Sequence, residues 1–210
     1  MKKSLMMQIF IGMLFVVLSG CSFQTTVPAV SKYSLSVTSD IKVVQNSPYS
    51  DKVIRMGVLE SLPSLSGKTI YYKSDSAENY TYIKARWNES VSVQLERLLN
   101  RSLSRSKMFK DVVPFRSLAN NDLIFEINIY EMTQVVHANG GSTMRLAVKL
   151  RVVEQYSRKI LAAKLFEEEI NEEEGNVKGA LTGYNKLVSD LLVETQAWLK
   201  ELAENTPTQT

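Results

Sequence analysis

The chain of 210 residues holds one cysteine and one histidine. An intramolecular disulfide, a CxxC redox pair and a thiolate zinc cluster all need more than one cysteine, so each is excluded. The sole histidine, His137, precedes Ala138-Asn139-Gly140-Gly141, which reads as an exposed turn rather than the seat of a general base. Without a second histidine, zinc would have to rely on carboxylates and water. The acidic runs 167–169 and 172–174 lack the Asp/Asn spacing and placed glycine of a calcium loop, and read as solvated strand ends. "SLSGK" lacks the earlier glycine of a phosphate-binding loop. Neither a cofactor nor a metal is expected, and no catalytic centre can be assembled.

Strong charge of one sign is also missing. The formal balance is +3. Removing residues 1–20 takes away two lysines and leaves 23 basic against 22 acidic residues, a balance of +1. This gives no basic field for nucleic acid, which is not expected as a partner.

What is present begins at the amino terminus. Lys2 and Lys3 precede an almost wholly apolar run, residues 6–18, followed by Ser19, Gly20 and Cys21. That run is shorter than the roughly 18 to 20 residues that cross a bilayer as a helix, so an export signal is expected over residues 1–20. Leu18-Ser19-Gly20-Cys21 resembles the lipobox of bacterial lipoproteins, which implies lipidation at Cys21 and cleavage before it; an inert thiol is the alternative. Several acyl chains on one residue hold firmly, at about 0.8 kcal/mol per buried methylene. By resemblance to common sorting rules, Ser22 favours the outer membrane, with the domain facing the periplasm. Residues 21–32, polar and without periodicity, read as a lipidated tether, and residues 205–210 as a frayed tail.

Between these ends one domain, 33–204, is expected. "TMRLAVKLRVVE" turns Met144, Leu146, Val148, Leu150 and Val152 one way and Arg145, Lys149 and Arg151 the other. "DLIFEINIYEM" does the same with Leu123, Phe125, Ile127 and Ile129. "HANGGS" between them supplies Asn-Gly turn chemistry, so the two segments should form a long hairpin. "KILAAKLFEEEI" should add a strand, and shorter strands are expected at 33–37, 53–59 and 68–73. Helical spacing runs from Asn88, a plausible N-cap, through Val91, Leu95, Leu98, Leu99 and Leu103. A second helix should start near Val177 and present Leu181, Tyr184, Val188, Leu191, Thr195, Trp198 and Leu202. The fold class expected is α+β: a single domain with an antiparallel sheet and two amphipathic helices packed on it.

"YTYIKARWNESVSVQLERLLNRSLSRSKMFKDV" is similar to a segment of the ABC-type transport auxiliary lipoproteins, the group that includes the paraquat-inducible lipoprotein PqiC. The matching residues are Tyr80, Tyr82, Arg86, Trp87, Phe109 and Val112, and the likeness extends from the lipobox to the last helix. A proline often seen soon after the tryptophan in that family is absent here, and the loop 48–51 has no counterpart. The resemblance implies a non-enzymatic, membrane-tethered accessory of a lipid-transport system built from an ABC permease, its ATPase and an MCE-domain protein.

An envelope assembly or adhesion lipoprotein unrelated to transport is the alternative. An unfamiliar periplasmic enzyme would need a polar pocket that the sequence does not display. Tyr71, Tyr72, Tyr80, Tyr82 and Trp87, interleaved with Lys84 and Arg86, suit either core packing or a contact surface. Tyr80, Tyr82, Arg86 and Trp87 are the candidate partner-binding residues, and self-association into a homo-oligomer stays open.

Overall fold

The computed structural model of the protein describes residues 29–37 and 41–205. Cys21, the residues 1–20 read as an export signal, most of the segment read as tether and residues 206–210 lie outside them. The strands are β1 (Ser31–Tyr33), β2 (Val53–Ser61), β3 (Thr69–Ser74), β4 (Asn79–Trp87), β5 (Asp111–Val113), β6 (Leu123–Val136), β7 (Ser142–Glu154) and β8 (Ile160–Glu172). Two helices accompany them, α1 (Val91–Ser106) and α2 (Val177–Asn205). The class is α+β, in a single domain.

The long hairpin of β6 and β7 is the spine. Its turn holds Gly140 at φ 91°, and the Asn139 side chain accepts the Gly141 N–H at 3.0 Å, the asparagine-glycine chemistry read from the sequence. Pairing runs antiparallel from Leu123↔Glu154 to Val136↔Ser142, with one irregularity between Ile129 and Glu131. Before it Phe125, Ile127 and Ile129 are buried; after it the buried positions become Met132 and Gln134. A bulge re-aims the strand by one position, so that Glu131 as well as Tyr130 stays off the buried face. β8 extends the sheet along β7 in the same antiparallel sense.

On its other side β6 is shared. β2 pairs parallel with Leu123 to Ile129, and β3 pairs parallel with only Val135 and Val136. β5 lies beyond β2, while β4 and then β1 lie beyond β3. The sheet therefore forks. It is also mixed, not antiparallel throughout as expected: β1–β4, β2–β5, β2–β6 and β3–β6 are parallel. Alternation of apolar residues reports which face is buried and says nothing about the direction of the neighbour, whereas a parallel pair needs a long crossover. The stretch between β2 and β6, carrying β3, β4, α1 and β5, is that crossover.

Three boundaries move from the expected ones. β1 spans Ser31–Tyr33, two residues into the segment read as tether, and residues 34–37 leave the sheet to cross the helices. There the Leu35 N–H donates to the buried Gln94 side chain at 2.7 Å and the Ser36 N–H to Asn185 at 2.9 Å. α1 begins at Val91, not from a cap at Asn88. Asn88 donates its N–H to Tyr33 O at 2.7 Å, which makes it the end of the strand pairing. Finally, residues 79–87 form a full strand that the sequence reading treated as an aromatic stretch.

Both helices lie on the apolar face. α1 buries Val91, Leu95, Leu99 and Leu103 as expected. α2 buries Tyr184, Val188, Leu191 and Thr195 together with Ala180, Leu187, Leu199 and Ala203, while Leu181, Trp198 and Leu202 flank the contact. Gly179 sits where α2 starts, its N–H donating to Asn176 Oδ1 at 3.1 Å. A Cβ there would stand 2.0 Å from the Glu174 carbonyl oxygen, a backbone atom that cannot swing away. Alanine favours a helix interior by about 1 kcal/mol over glycine, but overpacking costs about 1 to 3 kcal/mol. Gly179→Ala is therefore expected to lower the thermal unfolding midpoint; an unchanged or raised midpoint would show that the turn before α2 yields freely.

Candidate partner-binding site

Where the sheet forks, the gap between β2 and β3 opens into a cleft of about 600 Å³. Trp87, Val91, Met132 and Tyr184 line it from the core, and Leu62, Tyr71, Tyr72, Lys73 and Asn79 line it nearer the surface. The single-turn 3-10 helix Pro63–Leu65 forms one wall. Trp87 lies against Tyr184 with ring centroids 6.3 Å apart. Apolar clefts with a few polar groups on the rim are the usual form of a binding site.

The four candidate residues share a strand but not a surface. Trp87 is 4 % exposed and belongs to the core, so it can be reached only through the cleft. Tyr80 is 41 % exposed, stacks on Tyr72 at 5.4 Å, and its hydroxyl donates to the Glu78 carboxylate. That bond, ahead of the carboxylate's charge, raises the Tyr80 pKa. Tyr82 is half-buried against Tyr72 at 4.7 Å, and donates to Gln134 Oε1 at 2.8 Å. Burial pushes the Tyr82 hydroxyl up to about 12, with Tyr72 adding to the rise and the Gln134 bond opposing it. Arg86 turns back along its own strand, donating to Tyr82 O at 3.1 Å and Ala85 O at 3.4 Å.

Gln134 is the hub behind this aromatic wall. Fully buried, it accepts from Tyr82 and donates to Ser142 Oγ at 3.0 Å and Asn176 O at 3.1 Å, so one side chain joins β4, β6, β7 and the approach to α2. Such a network holds only if every member is satisfied. Nothing in the local sequence pattern marked it, because a glutamine inside a strand reads as a surface residue.

His137 stands at the β6–β7 turn, half-buried rather than exposed as expected. Its Nδ1 lies 2.6 Å from Asp75 Oδ1 and its Nε2 2.8 Å from Thr143 Oγ1, which bolts the β3–β4 turn to the base of the β6–β7 hairpin. Asp75 also accepts the Ala138 N–H at 3.1 Å. The His137 bond first, and the Ala138 bond second, hold the Asp75 carboxyl below its usual range. The acidic residues 167–169 are exposed on β8, with Glu169 3.2 Å from Arg145. Among the described residues no group of three or more His, Cys, Asp or Glu side chains could hold a metal ion, and no helix is long and apolar enough to cross a membrane.

Two outcomes follow from the bonding. Tyr82→Phe leaves the Gln134 oxygen buried without its donor and is expected to lower stability by about 1 to 3 kcal/mol, whereas Tyr80→Phe, at an exposed hydroxyl, should change it little. Equal effects in chemical denaturation would dispose of the hub. Because the folded pKa of Asp75 is depressed, its contribution is present above the unfolded pKa and is lost as pH falls through the folded value. Asp75→Asn should therefore flatten the acid limb of a stability-versus-pH profile and leave its alkaline limb unchanged.

No family model matches the sequence, and no curated protein matches it. Among solved structures, the fold is similar to protein XCC0632 from Xanthomonas campestris, described under the family DUF330, with a TM-score of 0.72 at 11% identity over 83% of this chain and 97% of that one. A second structure, of an uncharacterized protein, matches with a TM-score of 0.53 at 13% identity over 82% and 97%. Lipoprotein GNA1162 from Neisseria meningitidis is more distant, with a TM-score of 0.39 at 13% identity over 70% and 99%. At these identities the first two likenesses establish a shared fold.

Proposed function

We propose that the protein is a lipid-anchored accessory of the bacterial envelope, facing the periplasm from the outer membrane. In this reading it holds or orients an MCE-type partner of an ABC lipid-transport system and contributes binding rather than chemistry. The observation that carries the reading is the placement of the aromatic cleft. β1, which continues directly from the tether, pairs with the last three residues of β4, so an anchor at Cys21 would bring β4 and the cleft toward the membrane side of the domain.

The β3–β4 pair supplies surface for a partner. Ile83 is 82 % exposed, Tyr71 and Tyr80 stand at 42 % and 41 %, and Lys84 is exposed beside them. Exposed aromatic and apolar groups with a cationic neighbour suit a protein contact. The resemblance over residues 80–112 supports the choice of partner class.

A photo-crosslinker placed at Ile83 in the native envelope is expected to capture an MCE-domain protein, and one at the exposed Tyr156 is not. Tyr80→Ala should weaken pull-down of that partner with little loss of stability, whereas Trp87→Ala should cost about 3 to 5 kcal/mol through a cavity. Recovery of no MCE protein or transporter subunit from Ile83 would leave the envelope assembly or adhesion role as the better reading. Cys21→Ala should abolish lipid attachment, and mass spectrometry showing unmodified Cys21 in the mature wild-type protein would remove the anchor.

A further inference from the structure

At the far end of α1 from β1, two arginines stand without a partner among the described residues. Arg101 and Arg105 are exposed, one helical turn apart, a spacing that sets their side chains next to each other. Among the described residues neither takes part in an ion pair or hydrogen bond, whereas Arg97, Arg145 and Arg151 each face a glutamate. The pair lines a cleft of about 260 Å³ between α1, α2 and the chain that crosses them. Ser102 lines it beside the arginines, and Leu98, Ile41 and Leu192 supply an apolar wall; among the described residues no carboxylate lines it.

Completing the helix dipole does not explain the arrangement. That role needs a cation in the last turn, which Arg105 fills, while Arg101 lies a turn earlier and opens into the same cleft. The surroundings add to the positive field. Lys42, Lys107 and Lys110 are exposed at this end, and Val44 donates its N–H to Ser106 O at 2.8 Å, which lays the 42–44 segment on the last turn of α1. Among the described residues, Asp51 is engaged with Lys52 at 3.3 Å and Asp111 with the Val112 N–H at 2.8 Å.

We propose that this cleft binds the phosphate of an anionic lipid headgroup. Guanidinium forks match phosphate oxygens in pairs, Ser102 lines the same cleft, and the apolar wall suits the glycerol and first ester carbons rather than a bare ion. Reach permits it. α1 is 16 residues, about 24 Å long, and the ten Cα steps from Cys21 to Ser31 can reach at most about 33 to 36 Å, so an anchored domain can lay this end on the same leaflet. The inference stands apart from the transport reading, since it requires no protein partner.

The test is calorimetric titration of the full-length lipidated protein in a non-ionic detergent with dihexanoyl-phosphatidylglycerol, dihexanoyl-phosphatidylcholine and inorganic phosphate. Phosphatidylglycerol is expected to bind, more weakly as salt rises, and phosphatidylcholine is not. The double substitution Arg101→Glu with Arg105→Glu should weaken binding about tenfold or more at an unchanged unfolding midpoint, while Arg→Lys at both positions retains part of it. Should the reversed variant fail to fold, Arg101→Gln alone carries the comparison. Binding that survives charge reversal, or inorganic phosphate binding as tightly as the lipid, overturns the proposal. So does binding that appears only in Asp40→Asn, which would mean that the arginines are already neutralised from within the chain.

Discussion

Everything in this fold answers to the need to cover one apolar face. β6 and β7 run antiparallel for 13 residues of β7, a ladder about 44 Å long, and Phe125, Ile127, Met144, Leu146, Val148, Leu150 and Val152 line its inner side. A helix of ordinary length would leave a third or more of that face in water. α2 has 29 residues and is about 43 Å long, so its length matches the ladder it lies on. Its small residues face the strands: a Cβ on Gly183 would come within 2.9 Å of Met144. α1 and the crossing segment 34–37 close the remainder, pinned by Gln94, which accepts from Leu35 and donates to Glu89 O at 2.8 Å.

Because the face is shared by a sheet that divides, packing alone does not fix where the second arm sits. Apolar side chains tolerate small slips, whereas a buried amide does not. Gln134 fixes the β3–β4 arm through Tyr82, and His137 fixes its tip through Asp75. Polar groups set the alignment here, and burial supplies the bulk of the stabilisation.

Much of this was legible from local pattern. The hairpin, the turn at Asn139-Gly140, the third long strand and both helices follow from period and turn chemistry, since each is fixed by neighbours in sequence. The parallel pairs were not legible, because the partner of β2 lies about seventy residues away and direction leaves no mark on the alternation of a strand. The α2 stripe was read slightly off centre for a related reason: the helix contacts β7 and α1 at once, and Leu187 and Leu192 turn toward a surface that a single-strip reading does not anticipate. Of the aromatic group, the sequence left core packing and a contact surface open, and the structure divides it, with Tyr80 exposed and Trp87 buried. Trp87 was drawn inward by the cleft floor, and the walls at Leu62 and Tyr184 come from segments that meet only in three dimensions.

The fork has a mechanical meaning. β3 is tied to β6 by two residue pairs, at Lys73 and Ser74, whereas β2 is tied to it by six. The β3–β4 arm is thus joined to the spine along a short edge, latched at its tip by the His137–Asp75 hydrogen bond and along its side by a tyrosine hydroxyl. Its other end is held differently: Trp87 closes β4 inside the core, and three residues separate it from the start of α1. The arm is therefore clamped by burial at the Trp87 end and fastened by polar groups at the turn, and the aromatic cleft is the seam between these two kinds of attachment.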